Sequence, residues 1–244
     1  MRNNRKHKFY CDRPLLSILR FPFYYFVAMP ILALINFGYF RLRIENRKLL
    51  KIMKKGVIVC NHMHYLDCTM IDLATFPRQV IFVSQKRNFK IPIAGLILRL
   101  GGCLELGDSF QEIRTFLANA VIKARNGILL GIYPEGNLIL HNKTLQPFKK
   151  GAFFVAYEAQ VPVIPMVIKH REVNGFRRFY RKKPYLTLKV GLPIHPNLAL
   201  PKGEAIKSMC DRTYSAMMEM MGDEVWMDPS SSIQSAEVEV QNES

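Results

Sequence analysis

Short apolar runs alternate along this chain with amphipathic stretches, and the alternation predicts strands and helices in turn. Val57 to Cys60 is a β-branched run that reads as a buried strand. Leu66, Met70 and Leu73 follow at helical spacing. Gln79 to Ser84, carrying Val80, Ile81, Phe82 and Val83, is a second strand, and Ile91 to Leu100 is again apolar. Gly101-Gly102 breaks the chain before a short strand at Cys103 to Leu106. Ser109-Phe-Gln-Glu112 has the form of a capping box, in which the hydroxyl and the carboxylate each bind the other residue's backbone N–H. It opens a helix through Ile113, Phe116, Leu117, Ala120 and Val121 that Asn126-Gly127 ends. Ile128 to Tyr133 is the next strand and Ala152 to Ala159 a helix. Val161 begins another strand, Tyr185 to Val190 is one more, and Leu200 to Met221 is a Met-rich amphipathic helix. Strands alternating with helices predict an α/β fold with a single mixed, largely parallel sheet flanked by helices.

One stretch breaks this rhythm. Phe21 to Phe40 contains no charged residue and is rich in aromatics. A run of ~20 apolar residues is long enough to cross a bilayer. It is too long and aromatic for an ordinary signal peptide, and no small-residue cleavage site follows. We therefore expect an N-terminal membrane-embedded helical segment. Pro22 and Pro30 would kink it, and basic residues flank it on both sides (Arg41, Arg43, Arg47, Lys48 and Lys51 follow). Matching basic flanks leave two forms open, a span or an element that enters one leaflet and returns.

Charge narrows the partners. The net charge is +16, and the tail from Asp223 holds six acidic and no basic side chains, so the preceding body is more basic still. Such an excess implies an anionic partner: nucleic acid, an acidic membrane surface, or acidic substrates and carriers. The chain has no recognisable DNA- or RNA-reading motif, and a nucleic-acid binder leaves Phe21 to Phe40 unexplained. Five cysteines without a CxxC pair read as reduced thiols of a cytosol-facing protein. The Ser-rich acidic tail is expected to be disordered.

Candidate chemistry lies where strands end. The first strand closes on Asn61-His62-Met-His64-Tyr-Leu-Asp67. On one regular helix His62 and Asp67 would point apart, at about 500° of rotation. With His62 in the turn and Asp67 in the helix, the chain can fold back and bring the carboxylate onto the imidazole, making a general base with an orienting acid. His62-x-His64 with Asp67 also raises a metal site, but no second ligand cluster of recognisable spacing accompanies it, and no metal is expected. Ile128 to Tyr133 closes on Pro134-Glu135-Gly136-Asn137, where a glycine lets a backbone N–H approach a ligand.

Taken together, these stretches resemble the glycerolipid acyltransferase family that includes the 1-acyl-glycerol-3-phosphate acyltransferases. The family's HX4D motif matches His62 to Asp67, and its proline-glutamate-glycine block matches Pro134-Glu135-Gly136. Its phenylalanine-lysine-x-glycine element matches Phe148-Lys149-Lys150-Gly151, and its valine-proline block Val161-Pro162-Val163-Ile164-Pro165. Lys86 to Gly102 is similar to the segment joining the first two blocks. The likeness runs from about Val57 to Ile194. Two positions depart from it: Asp108 and Leu138 stand where the family carries arginines associated with the acceptor's phosphate, and neither side chain replaces a guanidinium fork. Either other cations serve (Lys86, Arg87, Lys143, Lys149 or Lys150) or the acceptor is not a simple phosphomonoester.

The resemblance implies a membrane acyltransferase that moves a fatty acyl group from acyl-CoA or acyl-carrier protein, as co-substrate, to a lysophospholipid hydroxyl. It needs no further cofactor, no metal and no nucleic acid. His62 would be the base and Asp67 its orienting acid, with Asn61, Lys86, Glu135, Gly136, Asn137, Lys149 and Pro162 shaping the substrate site. The expected organisation is a basic N-terminus with a membrane anchor over 1–45, the acyltransferase domain over 46–222 facing the cytoplasm beside an anionic lipid surface, and a disordered tail over 223–244. The competing reading is a membrane lipid-binding or scaffolding relative without catalysis.

Overall fold

The structure is a computed structural model and describes residues 22–173 and 184–222. The basic N-terminal stretch, Cys11 and the acidic tail lie outside the described residues. Seven strands form one sheet in the order β1-β7-β6-β2-β5-β3-β4. In chain order they are β1 (Arg43–Glu45), β2 (Val57–Cys60), β3 (Val80–Gln85), β4 (Leu104–Leu106), β5 (Leu129–Ile132), β6 (Val163–Arg171) and β7 (Tyr185–Val190). Every pairing is parallel except β6 with β7. The expected mixed, largely parallel sheet is therefore what forms.

Helices cover both faces, which is why the central strands read as continuous apolar runs. On one face lie α5 (Phe110–Arg125), α6 (Gly151–Ala159) and α7 (Lys202–Met221), packed against Val57, Val59, Val163 and Leu130. On the other, Ile58, Cys60, Ile164 and Met166 meet α2 (Lys48–Ile52), α3 (Asp67–Thr75) and the N-terminal helical segment. The alternation Val57/Val59 against Ile58/Cys60 follows the two-residue period of a strand. A 3₁₀ turn, Lys86–Lys90, and helix α4 (Pro92–Leu100) join β3 to β4. The capping box that opens α5 is present, with Ser109 and Glu112 satisfying each other's backbone.

The aromatic stretch is helical over residues 23–39: a π-helical piece Phe23–Ala28, a short α-helix α1 (Met29–Ala33), and a second π-helical piece Leu34–Tyr39. Pro30, which has no N–H to donate, sits at its centre. Among the described residues no helix is long and apolar enough to cross a membrane. The segment instead lays one face on the domain, burying Tyr24, Met29 and Asn36 and leaving Phe26, Val27, Ile31, Leu34 and Phe37 exposed. Asn36 is the key to its seat. Fully buried, its amide N–H donates to Thr69 Oγ1 at 2.9 Å and to the Leu32 carbonyl at 2.8 Å. A buried amide is placed only where its partners are, so this pair fixes the segment against the first turns of α3. The sheet begins at Arg43, inside the stretch expected to be anchor alone.

Parallel pairing brings the C-terminal ends of β2, β3, β4, β5 and β6 to one edge. The chain also changes direction about β2, with β5 on one side and β6 on the other. Open α/β sheets form their ligand crevices at such an edge.

Candidate active site

The turn after β2 is organised by one carboxylate. Asp67 opens α3 and is fully buried. Its Oδ2 accepts from the Met63 N–H at 2.8 Å, the His64 N–H at 2.9 Å and His62 Nδ1 at 3.0 Å. Its position in the first helical turn adds the favourable field of the helix N-terminus. The chain therefore folds back between His62 and Asp67 as the spacing requires. A carboxylate only accepts, so the proton of neutral His62 sits on Nδ1 and the Nε2 lone pair is left for chemistry. The imidazole side chain is partly exposed.

The plane of the ring is set from β5. Tyr133, just beyond that strand, stacks on His62 at 4.0 Å between centroids and 13° between planes, and Phe82 of β3 stacks on Tyr133 in turn. Burial pushes the Tyr133 phenol well above its ordinary range, so it stays neutral. Nothing in the sequence distinguished Tyr133 from the apolar run it terminates; its aromatic ring immediately before Pro134-Glu135 was the one available signal.

Glu135 reaches the same turn. Its Oε2 accepts from the His62 backbone N–H at 3.4 Å, while Oε1 is buried and has no hydrogen-bond partner among the described residues. Burial first, and then the nearby Asp67 charge, raise its carboxyl to about 7, against the pull of the His62 and Gln146 backbone N–H groups. Gly136 follows at φ +75°, a conformation that L side chains rarely adopt. A Cβ there would lie 2.5 Å from Lys149 Nζ. The glycine thus seats a lysine rather than clearing room for a ligand alone, and the Lys149 N–H is tied to the Pro134 carbonyl at 2.8 Å. Asn137 is exposed at the rim. Beyond it the loop doubles back over the turn after β2, with Ile139 N–H on the His62 carbonyl and His141 N–H on the Met63 carbonyl.

Three residues expected to shape the substrate site make contacts within the fold. Asn61 is buried, and its side chain both donates to the Ile168 carbonyl and accepts from the Ile168 N–H, each at 2.8 Å. It clamps β2 to β6 just past their last ladder pair. Pro162 precedes β6 at the opposite end of the sheet, where its carbonyl accepts from Val57 N–H. At ~3.3 Å per strand residue that is roughly 16 Å from His62, so it packs the core and does not line the site. Lys86 is at the correct edge but pairs with Glu112 at 2.5 Å. That pairing, helped by the Ser109 and Asp108 backbone N–H groups, lowers Glu112 to about 2 and raises Lys86. Lys86 therefore secures the start of α5. His64 keeps to the turn, with Nδ1 accepting from Leu66 N–H and its ring edge-on to Phe40. Cys60, Cys68, Cys103 and Cys210 are free thiols.

With the site described, its relatives can be placed. Residues 41–169 match the family model described as Acyltransferase. Human 1-acyl-sn-glycerol-3-phosphate acyltransferase beta is 30% identical over 62% of this chain and 54% of its own length. The enzyme named 1-acyl-sn-glycerol-3-phosphate acyltransferase in Saccharomyces cerevisiae is 28% identical over 48% of this chain and 39% of its own. The chain thus spans about half the length, or less, of these curated relatives. The crystal structure of the 1-acyl-sn-glycerophosphate (LPA) acyltransferase PlsC from Thermotoga maritima superposes with a TM-score of 0.61. It covers 88% of this chain and 89% of that one at 19% identity, a likeness of fold. The family match takes in β1 to β6, and with them both strand ends that hold the imidazole, its carboxylate and Glu135. This chain belongs to the Acyltransferase family.

Proposed function

We propose that this chain is a membrane-associated O-acyltransferase acting on lysophospholipids. It moves a fatty acyl group from acyl-CoA or acyl-carrier protein to the acceptor's hydroxyl, and the names of the relatives favour 1-acyl-sn-glycerol-3-phosphate as acceptor and phosphatidic acid as product. The observation that carries this reading is the 3.0 Å contact of His62 Nδ1 with buried Asp67. As the acceptor oxygen attacks the thioester carbonyl, its proton passes to His62 Nε2. The tetrahedral intermediate collapses, the C–S bond breaks, and the thiolate takes the proton back from the imidazolium. No covalent acyl-enzyme is required. A positioned base is worth about 10²–10⁴-fold, and Asp67 holds the tautomer and offsets the imidazolium charge.

Membrane attachment is supported by the outward face of residues 23–39. Phe26 and Leu34 are 76% and 74% exposed on a segment whose other face is buried, the pattern of an element lying in one leaflet. The basic body would draw the domain to anionic headgroups. The test offers the purified full chain, in vesicles with acyl-CoA, a panel of lysolipid acceptors and identifies the product by mass. Transfer to 1-acyl-sn-glycerol-3-phosphate is expected. Transfer to another lysophospholipid alone would assign a different acceptor, the reading that Asp108, Leu138 and the pairing of Lys86 favour. No transfer to any acceptor by folded protein would sink the enzymatic reading.

A further inference from the structure

Beside the turn after β2, on the β6 side, the fold gathers three imidazoles and an ammonium that the proposed mechanism leaves unused. His141 comes from the loop after β5, His170 from the end of β6 and His64 from the turn after β2. Ring centroids are 5.9 Å apart for His141 and His170, and 6.1 Å for His64 and His141. Lys143 adds its field to the same group. It sits at the tip of a turn in which Asn142 Oδ1 accepts from the Thr144 N–H and hydroxyl, so its backbone is fixed in place. The loop is itself held by His141 N–H on the Met63 carbonyl.

No described carboxylate forms an ion pair with His141, His170 or Lys143. No group of described His, Cys, Asp and Glu side chains is arranged to hold a metal. His170 is held below its ordinary range by burial and then by the charges of His141, Lys143 and His64. Of its strand neighbours, Arg171 donates to the Arg41 carbonyl and lies over the Tyr185 ring, and Lys169 is half-buried. His141, His170 and Lys143 thus form a group of N–H donors with no described carboxylate in an ion pair with them. It is anchored through the Met63 and His64 backbone to the carboxylate that positions His62.

We infer that His141, His170 and Lys143, with His64 at their side, bind the phosphoryl group of the acceptor while its hydroxyl faces His62. Imidazole N–H groups and an ammonium donate to phosphoryl oxygens, and a phosphate monoester carries close to two negative charges near neutral pH. The cluster supplies what Asp108 and Leu138 cannot, in a chain where Lys86 is committed to Glu112. The assignment deepens the proposed acyl transfer and rests on it for the identity of the ligand.

The test separates the two. Histidine ring resonances of the full-length His62→Ala protein, which lacks the base, are followed by NMR during titration with glycerol 3-phosphate and, separately, with inorganic phosphate. The His141 and His170 rings are expected to move with glycerol 3-phosphate, and the His170 titration midpoint to rise. Lysophosphatidate should compete, and Lys143→Ala, at an exposed position, should weaken binding about tenfold, the loss of one charge-assisted hydrogen bond. In the otherwise native enzyme Lys143→Ala should raise KM for a phosphate-bearing acceptor by a similar factor, with kcat less affected. Rings that do not respond, in a protein that transfers acyl groups to phosphate-bearing acceptors, overturn the inference. So do equal responses to inorganic phosphate with no competition from lysolipid, which assign the site to free phosphate. Ring shifts with glycerol 3-phosphate for which lysophosphatidate competes, in a chain without transferase activity, uphold the site and refute the catalytic reading instead.

Discussion

Replacing Asp67 with Asn keeps the shape of the side chain and removes its charge, so it isolates what the carboxylate does. Oδ2 accepts three N–H groups, and Oδ1 is buried without a hydrogen-bond partner among the described residues. If the Asn oxygen takes the three donors, its NH₂ falls at the Oδ1 position with nothing to donate to; the flipped amide faces the three donors instead. Either way a buried donor goes unpaired, which costs about 1–3 kcal/mol of stability. The catalytic cost is separate. With Nδ1 at 3.0 Å from Oδ2, the imidazolium and carboxylate charges lie about 4 Å apart, worth ~4 kcal/mol at an effective dielectric constant of 20. In the proposed transfer an imidazolium forms as the acceptor gives up its proton, so the loss should fall on kcat, about 10³-fold, and hardly on KM. The assay is thiol release from acyl-CoA in lysolipid vesicles, with urea unfolding of the same preparation. A kcat within roughly threefold of wild type, alongside the expected loss of stability, would refute the charge argument and leave Asp67 a structural cap.

Glu135→Gln should stabilise the protein increasingly as pH rises from 5 to 8. The folded-state value of about 7 lies above the ordinary 4.5, so the stability Glu135 contributes is full below 4.5 and is lost as pH climbs through 7. The gap in unfolding free energy between variant and wild type should widen by at most about 3 kcal/mol, read from urea curves at the two pH values. A gap constant with pH would show that Glu135 is ionised throughout. Gly136→Ala must adopt φ +75° and displace Lys149, so it should lose about 1–3 kcal/mol of stability, measured by thermal unfolding, and lower turnover with it. Phe26→Glu with Leu34→Glu removes two exposed apolar groups of about 1.5–3 kcal/mol each from the face proposed to meet the bilayer. Flotation with anionic vesicles should be lost while far-UV circular dichroism is unchanged; retained flotation would place attachment elsewhere.

The central strands were legible because a parallel sheet covered on both faces makes every strand position apolar, as in Val57 to Cys60 and Leu129 to Ile132. β1 escaped notice for the converse reason: Arg43–Glu45 is a short edge strand with two charged residues, held by β7 from the far end of the chain. His62 and Asp67 could be paired on paper because the constraint is local. Asn61 and Pro162 could not be placed, since a polar residue at a strand end looks the same whether it meets a ligand or clamps the next strand. A motif's place in the chain also does not say at which end of the sheet it falls. The seat of residues 23–39 depends on Asn36 meeting Thr69, a contact no hydropathy profile contains. His141 and His170 meet only when the loop after β5 reaches the end of β6, and Tyr133 becomes part of the site only through a stack.

The central claim is that His62 takes the acceptor's proton. Acyl transfer by the full-length His62→Ala protein, in vesicles and at saturating thioester and acceptor, tests it most directly. A fall in kcat of about 10²–10⁴-fold is expected, with the fold intact by far-UV circular dichroism and thermal unfolding. Turnover equal to wild type from the folded variant would contradict the account.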